Sequence, residues 1–142
     1  MSLNVDSLEF EATWARVEGW LAEALERSGC IETMDDVKRA VVAGSCQLFH
    51  HDSGAGVTLI DRNERVRTLR IWLMGGTMEA AEAMLPMTEV FARAAGCERI
   101  AFLGRTGWQR TFLTDEGFKA VAVDMVKTLV PLEVPDGQAN DH

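Results

Sequence analysis

Residues 66–129 read VRTLRIWLMGGTMEAAEAMLPMTEVFARAAGCERIAFLGRTGWQRTFLTDEGFKAVAVDMVKTL. Val66–Met74 has the character of a strand, with Leu69, Ile71 and Leu73 expected on one face and Thr68, Arg70, Trp72 and Met74 on the other. Gly75-Gly76 closes it, and a helix begins near Thr77, carrying Ala81, Met84, Leu85, Thr88, Phe91, Ala92 and Ala95 on one stripe. Pro86 falls inside that helix, where a missing donor and a ring clash predict a kink or local break. Gly96 ends the helix and Arg99–Leu103 forms a short strand. A strand–helix–strand unit of this length predicts two parallel strands joined by a right-handed crossover. Trp108–Asp115 then reads as a short helix between glycines, and Phe118–Val130 as a long alternating strand.

Upstream, Asp6 and Glu9 have capping-box spacing, and Phe10, Trp14, Val17, Leu21 and Leu25 share one helical face as far as Ser28-Gly29. Trp14 and Trp20 lie on or beside that face and are expected to be core. Thr33 opens a second helix with Asp35 and Asp36 in its first turn, Val37, Ala40 and Val41 on its stripe, and Gly44 as its stop. Ser45–His50 and Gly56–Asp61 form a predicted hairpin around the turn-rich residues 52–56. The whole is an α/β domain, a mixed twisted sheet with helices on both faces. Residues 1–130 make a single domain, followed by a tail at 131–142, polar and proline-containing, that lacks the apolar groups to order itself.

This order, ααββ then βαβαβ, resembles the Gcn5-related N-acetyltransferase (GNAT) fold with its first strand short or absent; only Leu3-Asn4-Val5 offers a stub. Glu116-Gly117-Phe118 is similar to the Gly-Phe step that many members carry before the last strand. Trp72-Leu73-Met74-Gly75-Gly76, Leu85-Pro86 and residues 104–108 (Gly-Arg-Thr-Gly-Trp) resemble segments of small phage- and prophage-encoded GNAT-like proteins. In the catalytic family, acetyl-CoA lies where the central strand opens from its parallel neighbour. Its pyrophosphate rests on backbone amides at the start of the following helix. The resemblance therefore assigns Gly75, Gly76 and Thr77, with Arg105 and Trp108 across the cleft, as cofactor-binding residues.

Other pieces of that machinery are missing. The family's Arg/Gln-x-x-Gly-x-Gly/Ala signature is reduced here to Gly75-Gly76-Thr77-Met78-Glu79-Ala80. Glu79 and Glu82 favour the helix dipole and oppose a phosphate at the same end. The position four residues before Gly117, where many members place a tyrosine acid, is Leu113, and the chain contains no tyrosine. The central strand holds no carboxylate to act as base. His50 and His51 are the candidate bases, but neighbouring strand residues face opposite ways, so at most one serves a cleft and the pair makes no metal site. No catalytic residue is assigned, and no metal. The cofactor is none, or acetyl-CoA held weakly.

Two binding elements remain. Arg62, Arg65, Arg67 and Arg70 cluster at the turn before the central strand, moderated by Asp61 and Glu64; they suit a phosphate, a nucleic acid or an acidic partner, or simply a solvated turn. Arg105 with Trp108 suits an anion or planar group, or else plugs the cleft. The net charge of −8 excludes broad nonspecific nucleic-acid binding. There is no run of the ~20 apolar residues that a membrane span needs, and no secretory signal. Cys30, Cys46 and Cys97, odd in number and without a C-x-x-C pair, suit reduced core thiols in a cytoplasm. The resemblance and the gaps together predict a degenerate GNAT-like binding or assembly module of phage or prophage origin. The alternative is an atypical acyl-CoA-dependent N-acyltransferase. The partner is a protein, a small molecule or a second copy of the chain.

Overall fold

The computed structural model describes residues 8–62, 65–102 and Phe118. Helix α1 (Leu8–Ser28) buries Phe10, Trp14, Val17, Leu21 and Leu25, the same five residues whose spacing marked its inner face. Gly29 ends it with φ +74, a left-handed position suited to glycine. Helix α2 (Met34–Val42) starts on a full capping box: Thr33 Oγ1 accepts from Asp36 N–H, and the Asp36 carboxylate accepts from Thr33 N–H. Hydrogen bonding to the carboxyl from the Thr33 backbone first, and from its side chain second, holds Asp36 below the usual carboxylate range.

Strands β1 (Cys46–His51), β2 (Gly54–Asp61), β3 (Thr68–Gly76) and β4 (Arg99–Phe102) lie side by side in chain order. The first two pairings are antiparallel; β3 and β4 are parallel and bridged by α3 (Met78–Ala94), as the strand–helix–strand pattern predicted. The hairpin turn is tighter than predicted. Only Asp52-Ser53 separate β1 from β2, because Gly54, Ala55 and Gly56 are needed as strand, opposite Gly76, Gly75 and Met74.

The helices cover both faces of the sheet. Leu48, Ala55, Val57 and Leu73 pack with the inner faces of α1 and α2. On the other face Phe49 joins Ala80 and Met84 of α3, and Ile71 joins Leu85. Phe118, from the predicted Gly-Phe step, is half-buried against this second cluster with Ile100 and Phe102.

The expected alternation along β3 fails at one place. Pairing passes from Val57↔Leu73 to Thr58↔Ile71, so Trp72 is an extra residue on β3, a β-bulge. Trp72 and Leu73 consequently both pack toward α1 and α2, while Ile71 and Met74 pack toward α3. Of the kink or local break expected at Pro86, the break is not seen: α3 runs on through it. Pro86 is exposed, whereas Met84, Leu85 and Thr88 are buried and hold the helix to the sheet on both sides of it.

Candidate functional site

The site predicted at the end of β3 is built by close backbone approach. A Cβ placed on Gly75 would fall on the carbonyl oxygen of Trp20 in α1. Gly76 has φ +104, and a Cβ there would fall on the Ser53 carbonyl and on Gly54 Cα. The two glycines thus serve to bring α1 and the β1–β2 turn against the strand end. Thr77 N–H donates to Ser53 O (2.9 Å), and Thr77 Oγ1 caps α3 by accepting from Ala80 N–H (3.0 Å). The Ser53 and Thr77 hydroxyl oxygens are 2.9 Å apart. Glu79 lies in the first turn, and Glu79 and Glu82 are both exposed.

A cavity of about 170 Å3 opens beside these residues, lined on one side by Met74, Gly75, Gly76, Thr77 and Met78. Glu23 and Arg27 of α1 line its other side, ion-paired at 2.6 Å. Neither was singled out from the sequence; their i,i+4 spacing was the only available signal. The cavity is smaller than the roughly 300–1,000 Å3 of pockets that enclose drug-sized ligands. Arg105 and Trp108, the other predicted cofactor contacts, lie outside the described residues, as do Leu113, the predicted helix at 108–115, the predicted strand beyond Phe118, the tail, and the stub at 3–5.

The bulge separates two residues expected on one face. Trp72 turns toward the α1–α2 side and its Nε1–H donates to Cys30 Sγ at 3.4 Å, while Met74 turns to α3. Cys30 is exposed, not core as predicted, because it follows the glycine that ends α1. Cys46 is buried, and burial pushes its thiol pKa up; Cys97 is half-buried.

The histidines divide as the strand period requires. His50 Nδ1 lies 3.0 Å from an Arg16 guanidinium nitrogen, which fixes Nδ1 as an acceptor and the proton on Nε2. The same guanidinium donates to His51 O (2.9 Å), and His51 Nδ1 faces Ser53 N–H at 3.3 Å. Burial first, then the Arg16 charge, pulls the His50 pKa below its ordinary 6.5; Glu9 and Asp52 oppose this weakly. Because the unfolded histidine keeps its ordinary value, the unfolded chain binds the proton more readily. Stability is therefore full above about pH 6.5 and declines as pH falls toward the folded-state pKa. Urea melts at about pH 7.5 and about pH 5 should show a smaller acid loss in His50→Gln than in wild type. An equal loss in both would remove His50 from the acid response.

Of the predicted arginine cluster, two members are structural. Arg67 donates to Ala95 O (2.8 Å) at the C-terminal end of α3, and Arg70 pairs with Asp61 at 2.9 Å. Arg62 and Arg65 are exposed, with no hydrogen bond or ion pair among the described residues. Among those residues no three His, Cys, Asp or Glu side chains gather as a metal site, and no helix is long and apolar enough to cross a membrane.

The architecture is that of the GNAT fold: a mixed sheet whose central strand ends in a glycine turn and leads into a crossover helix. Among solved structures, a point mutant of TTHA1254 from Thermus thermophilus superposes with a TM-score of 0.59 at 17% identity, over 87% of this chain and 95% of that one. A probable acetyltransferase gives 0.59 at 11% identity, covering 94% and 97%. The aminoglycoside acetyltransferase meta-AAC0020 from an uncultured soil metagenomic sample, solved with sisomicin, gives 0.55 at 9% identity, covering 92% and 93%. No family model matches the chain, and no curated protein matches it. At such identities the likeness is one of fold.

Proposed function

We propose that this GNAT-like domain is a binding or assembly module that has given up acetyl-CoA, acting in the cytoplasm with a protein or small-molecule partner. The observation that carries this reading is the internal use of the strand-end donors. Thr77 N–H is taken by Ser53 O and Ala80 N–H by Thr77 Oγ1, while the backbone of Trp20 and Ser53 occupies the Cβ positions of Gly75 and Gly76. A pyrophosphate could use neither of those two donors without displacing a bond, and it would lie beside Glu79. The absence of any tyrosine from the chain agrees with it. A phage or prophage setting belongs to the proposal on the strength of the sequence resemblance alone.

One observation favours the second reading, an atypical acyl-CoA-dependent N-acyltransferase. The cavity lies against Gly75, Gly76 and Thr77, and Arg27 brings to it from α1 a cation that the turn itself lacks. Calorimetry with acetyl-CoA separates the two. On the first reading the dissociation constant is weaker than about 100 μM, on the order of −5.5 kcal/mol. A low-micromolar constant that weakens in Arg27→Gln would replace the first reading with the second.

A further inference from the structure

Among the described residues charge is segregated, which the net value of −8 does not show. Sheet register places Asp61, Thr68 and Arg99 in one row at the end of the sheet where β3 begins. Arg62 and Arg67 continue that end outward along the chain. The α3–β4 turn folds onto the same end: Glu98 N–H donates to Arg67 O, Arg67 reaches Ala95 O, and Arg93 lies in the last turn of α3. Arg62, Arg65, Arg67, Arg93 and Arg99 are all exposed there. Among the described residues the acids near them are Asp61, already paired with Arg70, Glu98, and Glu89, one helical turn before Arg93; Glu64 lies between Arg62 and Arg65 in the sequence. Elsewhere, α1 carries Glu9, Glu11, Glu18, Glu23 and Glu26 against only Arg16 and Arg27. The basic pole and the Gly75-Gly76 turn stand at opposite ends of β3, some eight residue steps or roughly 26 Å apart.

We infer that this arginine pole is a docking surface for an acidic segment of a partner protein. Every cation in it is arginine, whose planar fork pairs with carboxylates through two parallel bonds. Arg62 and Arg65 make no hydrogen bond or ion pair with the described residues, and Arg67 and Arg99 bond to Ala95 O and to Thr68 Oγ1 (3.1 Å). A carboxylate-rich peptide is favoured over nucleic acid on two counts. No aromatic side chain lies among the described residues of the pole to stack a base, and the net charge of −8 opposes a long polyanion that extends beyond the patch. The inference stands apart from the fate of acetyl-CoA, since it uses the other end of the sheet.

The test uses the full chain, fluorescently labelled poly-L-glutamate and a labelled DNA duplex, with anisotropy as readout. Poly-L-glutamate should bind at low salt, weaken as salt rises, and lose at least about tenfold in affinity to Arg62→Glu/Arg65→Glu. Lys38→Glu/Arg39→Glu makes the same change of net charge on α2, off the pole and outside the cavity, and should stay within about twofold of wild type. The neutral pair Arg62→Gln/Arg65→Gln should fall between wild type and the reversed pair, with an unchanged urea midpoint that excludes unfolding as the cause. Equal losses in the two charge-reversed variants would reduce the effect to net charge and overturn the inference. So would tighter binding of the duplex than of poly-L-glutamate, or no binding of either.

Discussion

Gly76→Ala is expected to destabilise the protein by roughly 2–5 kcal/mol, read as a lower urea midpoint at unchanged slope. Two costs combine. At φ +104 an L side chain is strained, and here the new Cβ also lands on the Ser53 carbonyl and Gly54 Cα, backbone atoms of the two-residue turn and of the first residue of β2. Moving Ser53 lengthens its bond from Thr77 N–H and loosens the α3 cap, so the damage spreads to the start of the crossover helix. Gly29→Ala is the control, since Gly29 also has positive φ but nothing within 4 Å of its Cβ position. It should show backbone strain alone, about 1 kcal/mol. If both substitutions cost the same, Gly76 is only a turn residue and the account of a locked strand end fails.

Phe10→Ala should cost ~3–5 kcal/mol, the range for truncating a buried aromatic side chain. Phe10 is 1% exposed, among the largest fully buried side chains, and stacks on Trp14 with centroids 6.1 Å apart. The helix that carries it packs on β2 and β3 alike, so a cavity there weakens the layer that holds Gly75 in place. Leu8→Ala, at 89% exposure two residues away, should change stability by no more than about 0.5 kcal/mol. A Phe10→Ala loss near that of Leu8→Ala would mean that the inner face of α1 is not core.

Much of the fold was legible because its signals are local and repeated. The α1 stripe, the Thr33 cap with Asp36, and the stops at Gly29, Gly44 and Gly96 are each written in a few neighbouring residues; the three glycines all adopt positive φ. The order of β3, α3 and β4 is written in apolar period and glycine spacing, and parallel pairing follows from the length of the crossover. Pro86 does not break the helix, because the cost that proline imposes on an isolated helix is opposed by packing. Here the neighbouring turns are fastened to the sheet by Met84, Leu85 and Thr88.

The candidate site was legible as a place but not as a chemistry. Gly75-Gly76-Thr77 was located at the correct junction, yet a glycine pair reads alike whether it admits a phosphate or a neighbouring helix. The position of Trp20 and Ser53 distinguishes these uses, and both are distant in sequence. Glu23 and Arg27 reach the cavity for the same reason, across the sheet edge from another helix. Cys30 looked like core because cysteine usually is; the turn after α1 put it outside instead.

What the amino-acid sequence determined by itself was the set of elements from α1 to β4, their order and the faces of the helices, since these depend on periods of about 3.6 and 2 residues and on capping side chains within one turn. The tertiary structure alone decided the bulge at Trp72, which no glycine or proline marks. An extra residue in one strand is defined only by its partner, and it sends Leu73 to α1 and Ile71 to α3. It also decided which donors at the α3 start are free and which arginines gather at the far end of β3. Both are facts of distance between segments, and a linear chain carries no such distances until it folds.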